Sequence, residues 1–236
     1  MAKKTLVLKF GGTSVADKSA LNNVAKIIER HKPDKMCIVL SALGKTQKYG
    51  KITDVLIDLK ASAKKEKILW SIKKRHTDLI DACIPDKKHN ASAKKQIELL
   101  ISEIETHQDD PGYPIECFGE KMSAQLIYYM LKEKGHDITY VNAFDAIHFI
   151  NANPYFQKIH DSCRIIKDHL NSGKITITEG FIANESGKMT SMSRGGSDQT
   201  ATLIGKAIDA DEVIIYSDQD GVLTADPKIV KSAKIV

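Results

Sequence analysis

The chain has 236 residues, which is enough for one large α/β domain or two small ones. Hydrophobic residues at 42% and charged residues at 28% are typical of a globular protein with a sizeable core, and no apolar run approaches the roughly 18 residues of a membrane span. The formal charge of +5 comes mostly from lysines on a predicted solvated helix face (60–95), without the aromatic or arginine clusters typical of nucleic-acid binding.

The first half of the chain alternates short β-rich runs with helical periods. The predicted elements are a strand TLVLKF (5–10), a helix over 14–31, a strand MCIVL (36–40), two or three helical segments over 54–105, and a helix from about Lys121 to Lys134. The turn DDPGYP (109–114) ends the long helical stretch, and Gly135 closes the last helix.

The second half repeats the alternation. The predicted elements are a strand DITYVN (137–142), a helix marked by apolar residues from Ile159 to Leu170, a strand KITITEGFIAN (174–184) with a hairpin partner GKMTSM (187–192), a helix from Ser197 to about Ile208, and a strand EVIIYS (212–217). This order predicts an α/β fold with a mainly parallel central sheet.

The stretch VLSALGKTQKYGKIT (39–53) looks like a phosphate-binding P-loop because Gly44-Lys45-Thr46 follows a strand. A Walker A loop needs a glycine five positions before that glycine, where this chain has Val39. The run GKMT (187–190) fails in the same way, because position 182 is Ile182. Neither segment is therefore predicted to be a P-loop.

The better phosphate site is KFGGTSVA (9–16). Lys9 ends a strand near solvent, Gly11-Gly12 make a turn, and Thr13 or Ser14 can cap the next helix. A cation, free amides and a helix N-terminus would then meet at one point, as a polyphosphate requires. A simple glycine turn is the alternative.

Two later segments carry polar residues of the same kind. SRGGSDQTA (193–201) places Arg194 beside two glycines, with Ser197 as an expected N-cap and Asp198 in the first helical turn. The arginine offers a fork for a carboxylate or phosphate, whereas the aspartate could serve helix capping alone. YSDQDGVLTADP (216–227) has three carboxylates among turn formers but lacks the spacing of an EF-hand.

The four cysteines lie at least 34 positions apart, without a C-x-x-C pair or histidines at metal spacing. We expect buried, reduced thiols in a cytoplasmic protein and no metal site made by side chains. The first residues, MAKKTLVLKFGG, hold no long apolar region, so no signal peptide is predicted.

Four segments occur in an order typical of one family: KFGGTSVA, CFGE (117–120), TEGFIA with TSMSRGGSDQTA, and IYSDQDGVLTADPKIV. With these motifs the chain resembles the aspartate kinases of the amino acid kinase family over nearly its whole length, although position 193 is Ser where the family has Gly. The resemblance implies a three-layer αβα sandwich with ATP and L-aspartate bound at the C-terminal edge of the sheet.

The resemblance also implies the reaction: ATP phosphorylates the β-carboxylate of L-aspartate to 4-phospho-L-aspartate, which opens lysine (diaminopimelate), threonine and methionine biosynthesis. Phosphoryl transfer depends mainly on positioning and charge stabilisation, and a carboxylate nucleophile is already ionised near pH 7. Mg²⁺ would be carried by the ATP phosphates, with few or no protein ligands, and the positive net charge would help attract ATP.

Roles follow from the family's motifs, residue by residue. The resemblance implies Lys9, Gly11 and Gly12 at the transferring phosphate, Glu120 at the substrate ammonium, Arg194 and Ser197 at its carboxylates, Asp198 orienting cationic groups, and Phe10, Ser217, Asp218, Leu223 and Lys228 around the nucleotide. Leu223 replaces an aromatic residue that is frequent in the family, and Lys228 replaces an arginine, which keeps the charge but loses the fork.

The loop after the second strand carries, in the family, a serine and a later threonine that contact aspartate. Ser41 matches the serine. For the threonine, Thr46 is nearer, the family's closest spacing falls on Gln47, and Thr53 lies at the entrance of a helix. We interpret KTQKY (45–49) as part of an insertion that bulges outward, so that Thr53 restores the pattern. An ordinary N-cap by the Thr53 hydroxyl is the alternative.

The chain stops at Val236, where the family continues with the rest of the kinase domain and regulatory ACT domains. We therefore expect residues 1–236 to be a shortened catalytic domain of a protein that is a homo-oligomer, such as a dimer, at full length. Two alternatives remain: an amino acid kinase acting on glutamate, carbamate or UMP, and a catalytically weak member that binds an effector or a partner.

Overall fold

Helices and strands alternate along residues 3–193, 195–217, 221, 224–225, 229–230 and 232–234, the part of the chain that this computed structural model describes. Single 3-10 turns lie at Thr13–Val15 and Ile115–Cys117. The elements are β1 (Thr5–Phe10), α1 (Lys18–Arg30), β2 (Lys35–Leu40), α2 (Ile52–Ala61), α3 (Lys65–Cys83), α4 (Lys87–His107), α5 (Phe118–Glu133), β3 (Ile138–Tyr140), α6 (Ala143–Ala146), β4 (His148–Ile150), β5 (Asn153–Pro154), α7 (Phe156–Ser162), α8 (Arg164–Asn171), β6 (Ile175–Glu179), β7 (Ile182–Glu185), β8 (Lys188–Ser191), α9 (Gly196–Ala207) and β9 (Glu212–Tyr216).

The central sheet has the strand order β3-β6-β2-β1-β9 among the described residues. Each neighbouring pair is parallel, as in the register of Thr5 with Lys35 and of Leu6 with Glu212. Every residue of β1 from Leu6 to Phe10 is buried, because a parallel sheet covered by helices has no solvent-facing side. The predicted parallel α/β sheet is confirmed.

The two faces of this sheet belong to two separate cores. Leu6, Leu8 and Phe10 pack with apolar residues from α1 to α5, whereas Val7 packs with residues from α7, α8 and α9. Side chains alternate between the faces of a strand, so this division places helices on both sides. The predicted three-layer αβα sandwich is confirmed.

The stretch KITITEGFIAN is two strands rather than the predicted one. β6 belongs to the central sheet, and the chain then turns at Gly180 and at Phe181, whose φ is +68°. β7 lies in a second sheet of order β5-β4-β7-β8. Its predicted hairpin with β8 is confirmed, through Ser186 and Gly187 at φ +53° and +85°, as a two-residue hairpin turn of the I′ type needs.

Helix boundaries differ from the prediction in ways that matter for the site. The long helical stretch, predicted as two or three segments, is three helices, α2 to α4. However, α5 begins at Phe118 rather than near Lys121, so that Glu120 falls within its first turn. The predicted helix around Ile159 to Leu170 is divided at Cys163 into α7 and α8. Among the helices of the described residues, none has the length and apolar character needed to cross a membrane.

Candidate active site

Four strand ends meet at one edge of the central sheet. β1 is followed by Gly11 and Gly12, β2 by Ser41, β6 by Gly180, and β9 by Ser217. Because the strands are parallel, their carboxyl ends share this edge, which is where open α/β sheets bind ligands.

A cavity of about 220 Å³ lies at this edge. That volume is below the roughly 300–1,000 Å³ of sites for drug-sized ligands, so it suits a small substrate. The cavity brings together seven of the predicted site residues with five others, and its lining is Lys9, Gly12, Ser41, Ala42, Lys51, Thr53, Glu120, Phe181, Gly195, Gly196, Ser197 and Asp198.

Lys9 and Asp198 form an ion pair inside the cavity, with 2.6 Å between Nζ and Oδ1. Lys9 comes from β1 and Asp198 from the first turn of α9, so the pair joins the sheet to a helix of the outer layer. Lys9 is 7% exposed, which corrects the expectation that it lies near solvent. A buried ammonium needs such a partner, because burying an unpaired charge is costly.

The sequence had suggested that the glycine turn leads directly into a helix, but a 3-10 turn lies between the glycines and α1. Thr13 and Ser14 lie in a 3-10 turn, and α1 is capped instead by Asp17, whose Oδ1 accepts a hydrogen bond from the Ala20 amide at 2.9 Å. The Gly11 amide donates to the Tyr216 carbonyl at 3.0 Å. The prediction that Thr13 or Ser14 caps the next helix is therefore wrong. The Gly11 amide is used within the main chain, whereas Gly12 lines the cavity.

Ser197 is not the N-cap of α9. The cap is Gly195, at φ +86°, and Ser197 lies within the first turn. Gly195 adopts a left-handed conformation that side chains disfavour, so glycine, not serine, is the residue that this cap requires. Ser197 packs against Gly180, where an added Cβ would lie 2.4 Å from the Ser197 Cβ. This close approach keeps Ser197 at the cavity wall.

Glu120 projects from α5 and is 4% exposed. Its Oε1 accepts a hydrogen bond from the Ala42 amide at 3.1 Å, whereas its buried Oε2 has no hydrogen-bond partner within the described structure. Burial raises the pKa of Glu120 to about 8, although the Ala42 amide and the Lys51 charge oppose this shift. A positive group entering the cavity would therefore find a carboxyl oxygen without a partner.

Thr53 and Thr46 occupy different environments. Thr53 lines the cavity, is buried, and its Oγ1 has no hydrogen-bond partner among the described residues. Thr46 lies in a surface turn, where its Oγ1 accepts a hydrogen bond from the Tyr49 amide at 3.0 Å. The N-cap position of α2 is Lys51, so the alternative that Thr53 is an ordinary N-cap is wrong. The contact of Thr53 with aspartate stays a prediction.

Two other predicted residues lie beside a second cavity, of about 350 Å³, on the α1 side of the sheet. Phe10 lines it and stacks on Tyr216 with 4.9 Å between ring centroids, and Ser217 lines it as well. Phe10 and Ser217 do not belong to the lining of the cavity that holds Lys9. Arg194, Asp218, Leu223 and Lys228 lie outside the described residues.

Sequence reasoning did not assign Lys51, Phe181 or the Ala42 main chain to the site. Lys51 directly precedes the helix that carries Thr53, and Phe181 directly follows Glu179 and Gly180 in the motif TEGFIA. Glu179 is fully buried and accepts hydrogen bonds from Tyr140 and from the Ala143 amide. Because Lys51 and Phe181 lie beside residues that the sequence analysis had singled out, their positions were the signal that could have assigned them to the site.

Metal-ligating side chains do not cluster in the part of the chain that the structure describes, where no group of three or more His, Cys, Asp or Glu could hold an ion. The chemistry of the cavity is instead that of one ion pair, one buried carboxyl, hydroxyl groups and main-chain amides. Such a donor set can bind a zwitterionic molecule and stabilise negative charge beside it.

Residues 4–236 match the model of the amino acid kinase family. Aspartokinase 2 of Bacillus subtilis is 30% identical over 235 residues, covering 97% of this chain and 46% of that protein. The aspartokinase of Chlamydia pneumoniae is 30% identical, covering 97% of this chain and 51% of that protein. The chain thus spans about half the length of these curated relatives.

Solved structures agree with this similarity. Escherichia coli aspartokinase III in complex with aspartate and ADP has a TM-score of 0.84 at 27% identity, covering 99% of this chain and 53% of that chain. An isopentenyl phosphate kinase shares the fold at a TM-score of 0.57 and 17% identity, covering 98% of this chain and 78% of that chain. The resemblance that the motifs indicated is confirmed, and the chain belongs to the amino acid kinase family.

Proposed function

We propose that residues 1–236 carry the catalytic site of an aspartate kinase, which transfers the γ-phosphoryl group of ATP to the β-carboxylate of L-aspartate. The observation that carries this proposal is the cavity itself, where the Lys9–Asp198 pair lies beside a buried Glu120 oxygen that lacks a partner. Aspartate and ADP are bound in the Escherichia coli aspartokinase III structure that this chain resembles.

The amino acid end of the substrate would bind around Glu120. An α-ammonium group would donate to the free Oε2 and would favour the ionised carboxylate, so the two charges would neutralise each other in a buried place. Thr53, Ser41 and Ser197 offer hydroxyl groups to the carboxylates. We assign Arg194, from the family's motif, to the same carboxylates.

The phosphate end would bind around Lys9 and Gly12. Lys9 supplies a cation that is itself largely buried, and burial strengthens its attraction to a phosphoryl oxygen. Asp198 holds the Lys9 ammonium in place at 2.6 Å. ATP would bring Mg²⁺, which neutralises charge on its phosphates. Phe10, Gly11, Ser217, Asp218, Leu223 and Lys228 are the further residues that we assign to ATP.

The reaction needs no strong base, because the attacking carboxylate is already ionised at neutral pH. A β-carboxylate oxygen forms the new bond to the γ-phosphorus, and the bond from that phosphorus to the bridging oxygen of ADP breaks. Lys9 is placed to stabilise the charge on the moving group, and the hydroxyl groups and Glu120 hold the nucleophile in line.

The product, an acyl phosphate of aspartate, is the first intermediate toward lysine, threonine and methionine, and we propose that role for this protein. The four cysteines are free and buried, which supports a reducing compartment such as the cytoplasm. A homo-oligomer, such as a dimer, remains a prediction for the full-length protein, and size-exclusion chromatography with light scattering would test it.

An assay for the acyl phosphate tests the reaction type. Hydroxylamine converts an acyl phosphate into a coloured hydroxamate, so we expect hydroxamate and ADP in equal amounts when ATP and L-aspartate are both present. L-Glutamate, carbamate and UMP in place of aspartate test the other amino acid kinases. ADP without hydroxamate would contradict transfer to a carboxylate.

The second alternative, a catalytically weak member that binds an effector or a partner, predicts a different experimental result. Calorimetry would then detect aspartate binding while neither ADP nor hydroxamate forms at any ATP concentration. The pairing of a buried Lys9 with Asp198 at the cavity favours the enzyme, because a module that binds only aspartate has no use for a phosphate-binding cation.

A further inference from the structure

The segment from Gly44 to Gly50 leaves the active site and returns to it. Ser41 and Ala42 precede the segment and Thr53 follows it, and all three line the cavity. Between them, the Thr46 amide donates to the Tyr49 carbonyl at 2.8 Å in a turn at the surface. The two ends of this segment need fixed contacts, because movement of the residues between Gly44 and Gly50 would otherwise displace the cavity residues on either side.

Arg75 holds both ends. It projects from α3 and is 2% exposed. Its Nη1 donates to the Gly50 carbonyl at 2.8 Å, and its Nη2 donates to the Gly44 carbonyl and, at 3.0 Å, to the Ala16 carbonyl. The Tyr49 ring also lies against the guanidinium, with 5.3 Å from Cζ to the ring centroid.

The hydrogen bond from Arg75 to the Ala16 carbonyl also links the loop after β2 to the glycine turn after β1. Ala16 follows the 3-10 turn that begins just after Gly12, and Gly44 itself donates to the Gly12 carbonyl at 2.9 Å. One guanidinium thus joins the segment after β1 to both ends of the segment after β2. Its planar fork can reach several carbonyls at once, which the single ammonium of lysine cannot reproduce.

Burying a guanidinium is costly, and within the described residues its polar partners are main-chain carbonyls rather than a carboxylate. The position of the contacts gives the reason: they fix the stretch that presents the Ala42 amide to Glu120, a bond of 3.1 Å, and that leads to Thr53 at the cavity wall.

We propose that Arg75 is a positioning residue for the amino acid substrate, which sets the shape of its site by fixing Gly44 and Gly50 without touching the substrate. This inference rests on the proposed function, because it takes the cavity beside Glu120 to be the aspartate site.

Kinetics of Arg75→Lys test the inference, because this variant keeps the charge and loses the fork. We expect the aspartate KM to rise about tenfold, as for the loss of one to two hydrogen bonds from a charged group, with a smaller change in the ATP KM. Tyr49→Leu, which keeps Arg75 but removes the ring beside it, should raise the aspartate KM about two- to threefold. Arg164→Lys is the matched control, since Arg164 is exposed and pairs with Asp161 on α7.

Chemical rescue separates positioning from general stability. Arg75→Ala leaves three carbonyls around a space that fits a guanidinium ion, so millimolar guanidinium should restore part of its aspartate affinity. The same concentration should not change Arg164→Lys. If Arg75→Ala does not fold, Arg75→Lys and Tyr49→Leu still decide the matter. An aspartate KM in Arg75→Lys equal to that of the wild type would overturn the inference.

Amide hydrogen exchange provides a readout that does not need substrate. Exchange of the amides from 41 to 53 should accelerate in Arg75→Lys, whereas amides of β1 and of α8 should stay protected. Unchanged protection over 41–53 would also overturn the role of Arg75. If wild-type protein showed neither aspartate binding nor hydroxamate formation, the proposed function would fail, and the exchange experiment would still test whether Arg75 holds these segments.

Discussion

The main chain of Gly44 lies directly against the main chain of Gly12. The Gly44 amide donates to the Gly12 carbonyl oxygen at 2.9 Å, and a Cβ added at Gly44 would lie 2.5 Å from the Gly12 carbonyl carbon. The glycine in the sequence Gly44-Lys45-Thr46 is therefore explained by contact between two loops, and not by a phosphate.

Gly44→Ala should consequently displace the glycine turn, because the atoms it meets belong to the main chain and cannot swing aside. We expect kcat/KM to fall at least about tenfold with a stability loss of about 1–3 kcal/mol, as for overpacking. Gly50→Ala is the matched control, since its Cβ would meet only a Val55 side-chain atom at 3.2 Å. Equal activity of the two variants would mean that this loop contact does not shape the site.

Lys9→Met should remove catalysis and keep the fold. Methionine fills most of the space of the buried lysine, and the partner that it abandons, Asp198, is partly exposed and can be hydrated. We expect kcat to fall about 10²–10³-fold, as for loss of one group that stabilises the transition state. Aspartate binding, measured by calorimetry, should change little. A kcat near that of the wild type would exclude Lys9 from the chemistry.

Thr53→Val should raise the aspartate KM several-fold, consistent with the loss of a hydrogen bond worth roughly 0.5–1.5 kcal/mol. The isosteric change Thr46→Val is its control in the same stretch of chain, because the Thr46 hydroxyl bonds within a surface turn. Steady-state kinetics with both substrates would measure the effect. A larger increase of the aspartate KM in Thr46→Val than in Thr53→Val would show that Thr46, and not Thr53, contacts the substrate.

Aspartate binding should strengthen as pH rises toward about 8. Burial, with a smaller effect of the nearby Glu179, raises the pKa of Glu120 to about 8, against the Ala42 amide and Lys51, so the carboxyl is mostly protonated at pH 7. The substrate ammonium needs the ionised form. Calorimetry from pH 6.5 to 8.5 should show this trend in the wild type, and Glu120→Gln should bind weakly without it.

The same carboxyl should affect folding stability. The folded-state pKa is about 8, whereas that of an unfolded glutamate is about 4.3, so between these values the native state binds more protons than the unfolded chain. The stabilisation that comes from the raised pKa of Glu120 is fully present below pH 4 and is lost as pH rises through 8. The melting temperature of ligand-free protein should fall more steeply from pH 5 to 8 in the wild type than in Glu120→Gln. Parallel curves would show that Glu120 titrates normally.

Local patterns predicted the elements that make the site. The buried runs TLVLKF and MCIVL, each ending at small residues, gave the parallel strands whose ends hold Gly12 and Ser41. The resemblance to the aspartate kinases also implied that Lys9, Glu120 and Asp198 act together, and the structure brings all three to one cavity. These features depend on short segments, so a single sequence contains them.

Other features depend on contacts between distant segments, and the sequence could not supply them. β4 and β5 were missed because they have three and two residues, and the turn between them uses Asn151 and Ala152 at positive φ. The caps of α1 and α9 were misplaced because the chain makes other turns before each helix begins. The contacts of Arg75 and the position of Lys51 depend on how α3 and the loop after β2 pack together.

The double attachment of Arg75 to Gly44 and Gly50 makes the intervening residues a separate module of the surface. Residues 45–48 lie between the anchor points, so a change in their length or sequence should leave Gly44 and Gly50 in place as long as Tyr49 keeps its contact with Arg75. This stretch therefore offers a grafting point for a reporter placed close to the cavity.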